Sequence, residues 1–250
     1  MKIYEAKTLL LTMEARSKEY KQTRQEFTAL KEAFLGVTNL GDDFQGKGAD
    51  NIKAFYKDQA GIIDNWLDLI DSQIQFLDGI SNVIEEAGLS NSFIDIEFLE
   101  NQLANAYTNS KSVVSEQKKE LINILADIKD LLPLEPISDQ EFEEKLDAAN
   151  KERESTIQAV NDLDTKLINE YAASETTQQM VMADYAALID ATGKGEDASQ
   201  VSYDSKAYRS SETYRLKNEV HTNAESYIKF KIDQAEAQKI AKEQDESAGQ

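Results

Sequence analysis

Nine residues, Leu40-Gly41-Asp42-Asp43-Phe44-Gln45-Gly46-Lys47-Gly48, constrain this chain more than any other stretch. They stand between two long runs of helical periodicity and contain three glycines, which predicts a reversal of chain direction. Phe44 is the large apolar side chain inside the turn and is expected to plug the end of the resulting hairpin. Gly41 to Lys47 also fits the spacing G-x-x-x-x-G-K of a phosphate loop. That reading fails on three counts. The metal-binding Ser or Thr is replaced by Gly48, and residues 27–34 read as helix where a buried strand is needed. Asp42 and Asp43 also set two negative charges where backbone amides would have to cradle phosphate. The stretch is read as a helix-hairpin turn.

The helices on either side differ in character. Residues 3–35 predict a first helix with Met13, Tyr20, Phe27 and Phe34 seven apart, Leu30 between them, and Gly36 as its stop. Such a narrow stripe suits a hairpin or bundle seam. Residues 49–87 predict a second helix of nearly 60 Å at about 1.5 Å per residue. Its apolar positions, among them Phe55, Ile62, Ile63, Trp66, Leu69, Ile70, Ile74 and Ile84, form a wide stripe. One narrow helix cannot cover it, so a third helix or another chain is expected against it. Phe55, Ile63, Trp66, Ile70 and Ile74 are the expected partner-binding residues, with an intramolecular core as the other reading of Trp66.

Gly88 predicts the end of the second helix, and Ser90 or Ser92 the cap of a third over residues 93–131. Pro133 and Pro136 mark the strongest boundary. Beyond them Ser138-Asp139-Gln140-Glu141 forms a capping box, with Ile137 and Phe142 placed as a hydrophobic staple. A fourth helix is expected from there to Tyr171, then a polar break over 174–179, a short helix over 180–189, a loop over 191–205 and further helix beyond Ser210. The expected domain plan is a hairpin plus third helix over 1–132, a linker over 133–137, a second helical region over 138–240, and a frayed tail over 241–250.

The 250 residues carry 27 basic and 47 acidic side chains, a formal net charge of −20, which disfavours nucleic acid and anionic membrane as main partners. No stretch approaches the roughly 18 apolar residues that a membrane span needs, so no membrane insertion is expected. The N-terminus lacks a secretory signal pattern, because Glu5, Lys7, Glu14 and Arg16 surround Leu9-Leu10-Leu11. There is no Cys, and His221 is the single histidine. Zinc sites, Glu-x-x-His di-iron sites and G-x-S-x-G nucleophile elbows are therefore not formed from this sequence. No catalytic residue, metal or cofactor is expected, and the many carboxylates read as solvated helix faces.

The Phe44-Gln45-Gly46 turn is followed by Lys47-Gly48-Ala49-Asp50-Asn51-Ile52-Lys53-Ala54-Phe55-Tyr56. With the helix before it, this resembles the LXG domain, Phe44 standing where the family name has Leu. The similarity extends to residues 63–77, Leu103-Ala104-Asn105-Ala106-Tyr107, Ser115-Glu116-Gln117-Lys118-Lys119 and Ala191-Thr192-Gly193-Lys194-Gly195, nearly the whole chain and most like Bacillus-type members. The resemblance implies an all-α fold, an elongated bundle of long helices built on an N-terminal WXG-like hairpin, with Phe44, Gln45, Gly46 and Gly48 as its turn motif. It implies a targeting module of polymorphic toxins that Gram-positive bacteria export by type VII secretion. Its partners would be small helical Esx-like or LXG-associated proteins and the secretion machinery, and the toxin, often a nuclease, would lie C-terminally. The implied location is the cytoplasm first, then the cell surface or medium, without a cleaved signal. Tyr171 and Glu175 fit the aromatic-x-x-x-acidic export signal, as do Phe93 and Glu97, although Tyr171 is better explained as the last stripe residue of its helix. Two other readings are a self-associating helical rod without an export role and a carboxylate enzyme in a helical bundle.

Overall fold

The computed structural model describes residues 2–195 and 198–248. The fold is all-α, a bundle of long helices: α1 (Ala6–Thr38), α2 (Lys47–Glu86), α3 (Ala104–Asp127), α4 (Gln140–Asp190), the short α5 (Ser205–Arg209) and α6 (Glu212–Ala248). Among the described residues the only strands are β1 (Ile3–Glu5) and β2 (Phe93–Asp95). The chain forms two compact units that do not follow chain order: Met1–Lys7 with Ile84–Thr165, and Thr8–Val83 with Lys166–Gln250. Each unit draws on both sides of Pro133 and Pro136.

In the first unit, β1 and β2 pair antiparallel with Tyr4 opposite Ile94. Both segments were expected to be helix; instead Tyr4, Ile94 and Ile96 alternate inward, the period of a half-buried strand. Ala6, Ile84, Leu89, Val160 and Leu163 of this unit are also buried. Gly88 ends α2 as expected: at φ +70° its N–H donates to Glu85 O at 2.9 Å, and that of Leu89 to Ile84 O at 3.0 Å. The next helix is capped by Asp95, whose Oδ1 accepts from Phe98 N at 3.1 Å, and by neither serine. It opens with a π-helical turn, Phe98–Leu103, and Arg153 Nη1 donates to the Leu99 carbonyl there at 3.1 Å. α3 and the start of α4 form an antiparallel hairpin held by Tyr107 and Lys111 on Asp147 at 2.8 and 3.0 Å, and by Lys118 on Asp139. The capping box forms in half: Ser138 Oγ accepts from Gln140 N at 3.3 Å, while Glu141 turns to Lys145 at 2.6 Å. The staple does not close, since Ile137 is 80% exposed.

The second unit is organised around α2. α1 lies antiparallel to it with seven-residue regularity: Lys31 meets Asp64, Arg24 grips Asp71 with two bonds, and Ser17 and Lys21 share Asp78. Phe27 packs on Trp66 and Phe34 on Tyr56, at ring separations of 6.1 and 5.2 Å. The expected stripe thus forms the seam, except that Leu30 stays exposed. Gly36 does not stop α1, which runs on to Thr38; a single helical glycine costs only about 1 kcal/mol. The surplus apolar face of α2 is covered within the unit: Phe55, Ile62, Val181, Leu188, Tyr203, Tyr208 and Val220 make one core. α4 is continuous through 174–179, where a break was expected. That segment has neither Pro nor Gly, and Ser and Thr cost only tenths of a kcal/mol each in a helix. α6 likewise continues to Ala248, through most of the tail expected to fray; Gly249 and Gln250 lie outside the described residues.

Leu188 is fully buried, so Leu188→Ala is expected to cost about 2–5 kcal/mol in urea denaturation followed by circular dichroism. Ile124→Ala in α3, where no residue is buried, is expected to cost less than about 0.5 kcal/mol in the same measurement.

Candidate functional site

The turn between α1 and α2 is built by its own sequence. Gly46 takes φ +99°, a conformation that a Cβ disfavours, and its carbonyl accepts the Asp50 N–H at 2.9 Å to start α2. Gln45 donates to Asp42 at 2.9 Å across the turn. Phe44 is half-buried with Lys53 Nζ 5.8 Å from its ring centroid. Gly48 allows a close approach, because a Cβ there would stand a tight 3.1 Å from Val201 Cγ1. Asn51 Nδ2 donates to the Val201 carbonyl at 2.7 Å. The motif is therefore a seat for the short 3-10 turn Gln200–Ser202 as well as a reversal. That turn belongs to the loop after α4, closed by Ser199 N on Thr192 O and Asp204 N on Ala191 O at 3.1 and 2.9 Å. Glu196 and Asp197 of the same loop lie outside the described residues.

The expected partner-binding residues occupy the interior of the second unit. Phe55, Ile63, Ile70 and Ile74 are buried, and Trp66 is half-buried against Phe27 and the α2–α4 core. Trp66 thus takes its intramolecular reading. Tyr171 stands mid-helix on α4, half-exposed, its ring 5.9 Å from that of Phe76, with Glu175 exposed one turn on.

Sequence reasoning missed a buried polar layer in this unit. Asp58, 6% exposed, accepts two bonds from Arg209 Nε and Nη2 and one from Tyr203 Oη at 2.9 Å. Asp184, 2% exposed, accepts Tyr208 Oη at 3.0 Å, and burial raises its pKa above the usual carboxylate range. Burial lowers the pKa of Lys217, opposed by Asp184 and Asp58. Lys217 reaches this layer because α2 offers Gly61: a Cβ there would stand 2.3 Å from Nζ. Asp184, Thr213 and Lys217 line a cavity of about 230 Å3 with Asn65, whose buried Nδ2 has no partner among the described residues. Further along, Glu170 accepts Tyr227 Oη at 2.5 Å and the buried Lys231 Nζ at 2.8 Å. The contacts of Asp58, Asp184, Glu170 and Lys231 are structural: each of these charges meets an opposite charge or a hydroxyl of the same unit, as buried charges require. Among the described residues no three His, Asp or Glu side chains are placed to hold a metal ion. No described helix is long and apolar enough to cross a membrane.

The first unit offers the contrast. Between Ile96 and Val160 no residue is buried. The hairpin nevertheless carries Val113, Ile122, Ile124, Leu131, Leu132, Leu134 and Ile137, all exposed. Monomeric soluble proteins rarely expose large contiguous apolar patches.

His221 supplies a titration that reads the packing of α6 on α2. Its Nδ1 lies 2.9 Å from Asp68 Oδ2, and this contact raises the imidazole pKa above 6.5. Burial raises the Asp68 carboxyl, and His221 partly offsets that. The stabilisation from the raised histidine is complete below pH 6.5 and is lost as pH climbs through the folded-state pKa. NMR titration is expected to place His221 above 6.5 in the native chain, and Asp68→Asn is expected to bring it down. The pair is more than half open to solvent on the histidine side, so the unfolding midpoint moves little with pH.

Comparison with known proteins agrees with this arrangement. Residues 2–201 match the family model of the LXG domain of the WXG superfamily. Toxin YwqJ of Bacillus subtilis (strain 168) is 38% identical over 247 residues, 99% of this chain. The chain spans 41% of the length of that relative. A family match over residues 2–201, most of the chain, makes this chain a member of the LXG family.

Proposed function

We propose that this chain is the targeting and partner-binding region of a toxin exported by type VII secretion. It performs no chemistry itself. It joins small helical proteins into a complex that the secretion machinery accepts, and so carries a toxin domain out of the cell. The toxin domain lies C-terminally in the whole protein, for which the greater length of YwqJ leaves room. The chain is made in the cytoplasm and leaves without a cleaved signal peptide. The observation that carries this reading is the hairpin between Ile96 and Val160, which exposes a row of large apolar side chains and buries none. Family membership and the similarity to a toxin support the export half of it. The export signal is assigned to the partner complex, so Tyr171 and Glu175 act as helix residues.

Co-expression with the small helical proteins encoded beside it is expected to give a stoichiometric complex by size-exclusion chromatography with light scattering. In the native organism the chain is expected in the medium only when the type VII motor is active, and Tyr171→Ala with Glu175→Ala is expected to leave export unchanged. A chain that only self-associates, and reaches the medium regardless of the motor, would favour the structural rod.

A further inference from the structure

We propose that the tip of the α3–α4 hairpin, residues 120–144, is the docking surface and that its occupant is a helix whose apolar stripe is bordered by Lys and Arg. The inference rests on the partner-binding reading and adds the place and the chemistry. Leu131 is 87% exposed and Ile137 80%, with Leu132 and Leu134 between them and Ile124 and Phe142 on the adjoining helices. Pro133 and Pro136 hold their own φ fixed and donate no hydrogen bond, so no helix runs through the connection that carries these exposed side chains. The apolar patch is thus a standing feature of the tip.

Charge identifies what would cover it. Residues 120–144 contain eight acids, Glu120, Asp127, Asp130, Glu135, Asp139, Glu141, Glu143 and Glu144, and one base, Lys129. Asp139 and Glu141 are paired with lysines and Glu144 with Gln140. Glu120, Asp127, Asp130, Glu135 and Glu143 remain as an unneutralised border to the apolar residues. A second copy of this chain would bring the same acids against them, and anionic lipid or nucleic acid would be repelled. A helix with cations on both sides of its stripe covers the leucines and neutralises the border together.

The test uses the full chain, with the purified small helical proteins encoded beside it as probes, in calorimetric titrations at low and high salt. The wild type is expected to bind, with affinity falling as salt rises. L131D/L134D/I137D alters only exposed side chains, should keep the native circular dichroism spectrum, and is expected to weaken binding at least ~100-fold. D127K/D130K/E135K is expected to weaken it at least ~10-fold and to abolish the salt dependence. Wild-type binding that survives both variants overturns the docking site but leaves the partner-binding reading standing. Absence of wild-type binding to every such protein overturns that reading and this one together. Salt-independent binding lost only in the aspartate variant overturns the cationic partner, and so does flotation of the chain with zwitterionic vesicles in place of protein binding.

Discussion

Burial of helix α2 is the constraint on which the second unit depends. Its apolar and small positions from Phe55 to Ile80 face too many directions for a single neighbour, so α1, α4 and α6 are recruited around it. Each recruit solves a different problem. α1 has a thin stripe and compensates with the cations Lys31, Arg24 and Lys21, which meet Asp64, Asp71 and Asp78. α4 brings Val181 and Leu188 to the apolar centre. α6 is the most polar of the three and approaches by laying lysine stems across glycines, Lys217 over Gly61 and Lys231 over Gly79. The aliphatic stems cover apolar surface while the Lys231 ammonium bonds Glu170 and that of Lys217 lies in the field of Asp184 and Asp58.

The two units use the same kind of sequence to opposite ends. In one, the aromatic and aliphatic residues of α2 are consumed by the chain itself. In the other, α3 and the start of α4 are joined by polar bonds such as Tyr107 and Lys111 on Asp147 and leave large apolar side chains exposed. A large apolar residue is therefore a poor guide to an interface by its identity alone. Trp66 packs on Phe27, whereas Leu131 is almost wholly exposed.

Much of the helical layout was legible in the sequence, because periodicity, Gly88, the two prolines and the Ser138 cap are local signals. Long helices bounded by such signals need little tertiary information. The β1–β2 ribbon was not legible as such: Lys2-Ile3-Tyr4-Glu5 is too short for a period, and its pairing with residues roughly 90 positions away is decided by tertiary contact. The continuity of α4 through Ser174 to Gln179 was misread because polar residues were taken as a break where none of them breaks a helix. The turn motif was legible, but the role of Gly48 was not, since Val201 lies far away in sequence. The polar layer of Asp58, Asp184, Tyr203, Tyr208 and Arg209 escaped for the same reason: each acid looks like any other surface carboxylate until the fold brings its tyrosine to it. The wide stripe of α2 looked open in the sequence because Val181, Leu188 and Val220, which pack against Phe55 and Ile62, lie far away along the chain.

The distance along the chain between the halves of that core has a consequence for synthesis. Phe55 and Ile62 leave the ribosome long before Val181, Leu188, Tyr203, Tyr208 and Val220, which complete their surroundings. For the time needed to add roughly 150 residues, about 8–30 s at bacterial elongation rates, the nascent hairpin of α1 and α2 holds an open apolar flank. Whatever shields that flank in the interval must let go when α6 arrives, so the order of emergence itself makes this unit a late and all-at-once folder.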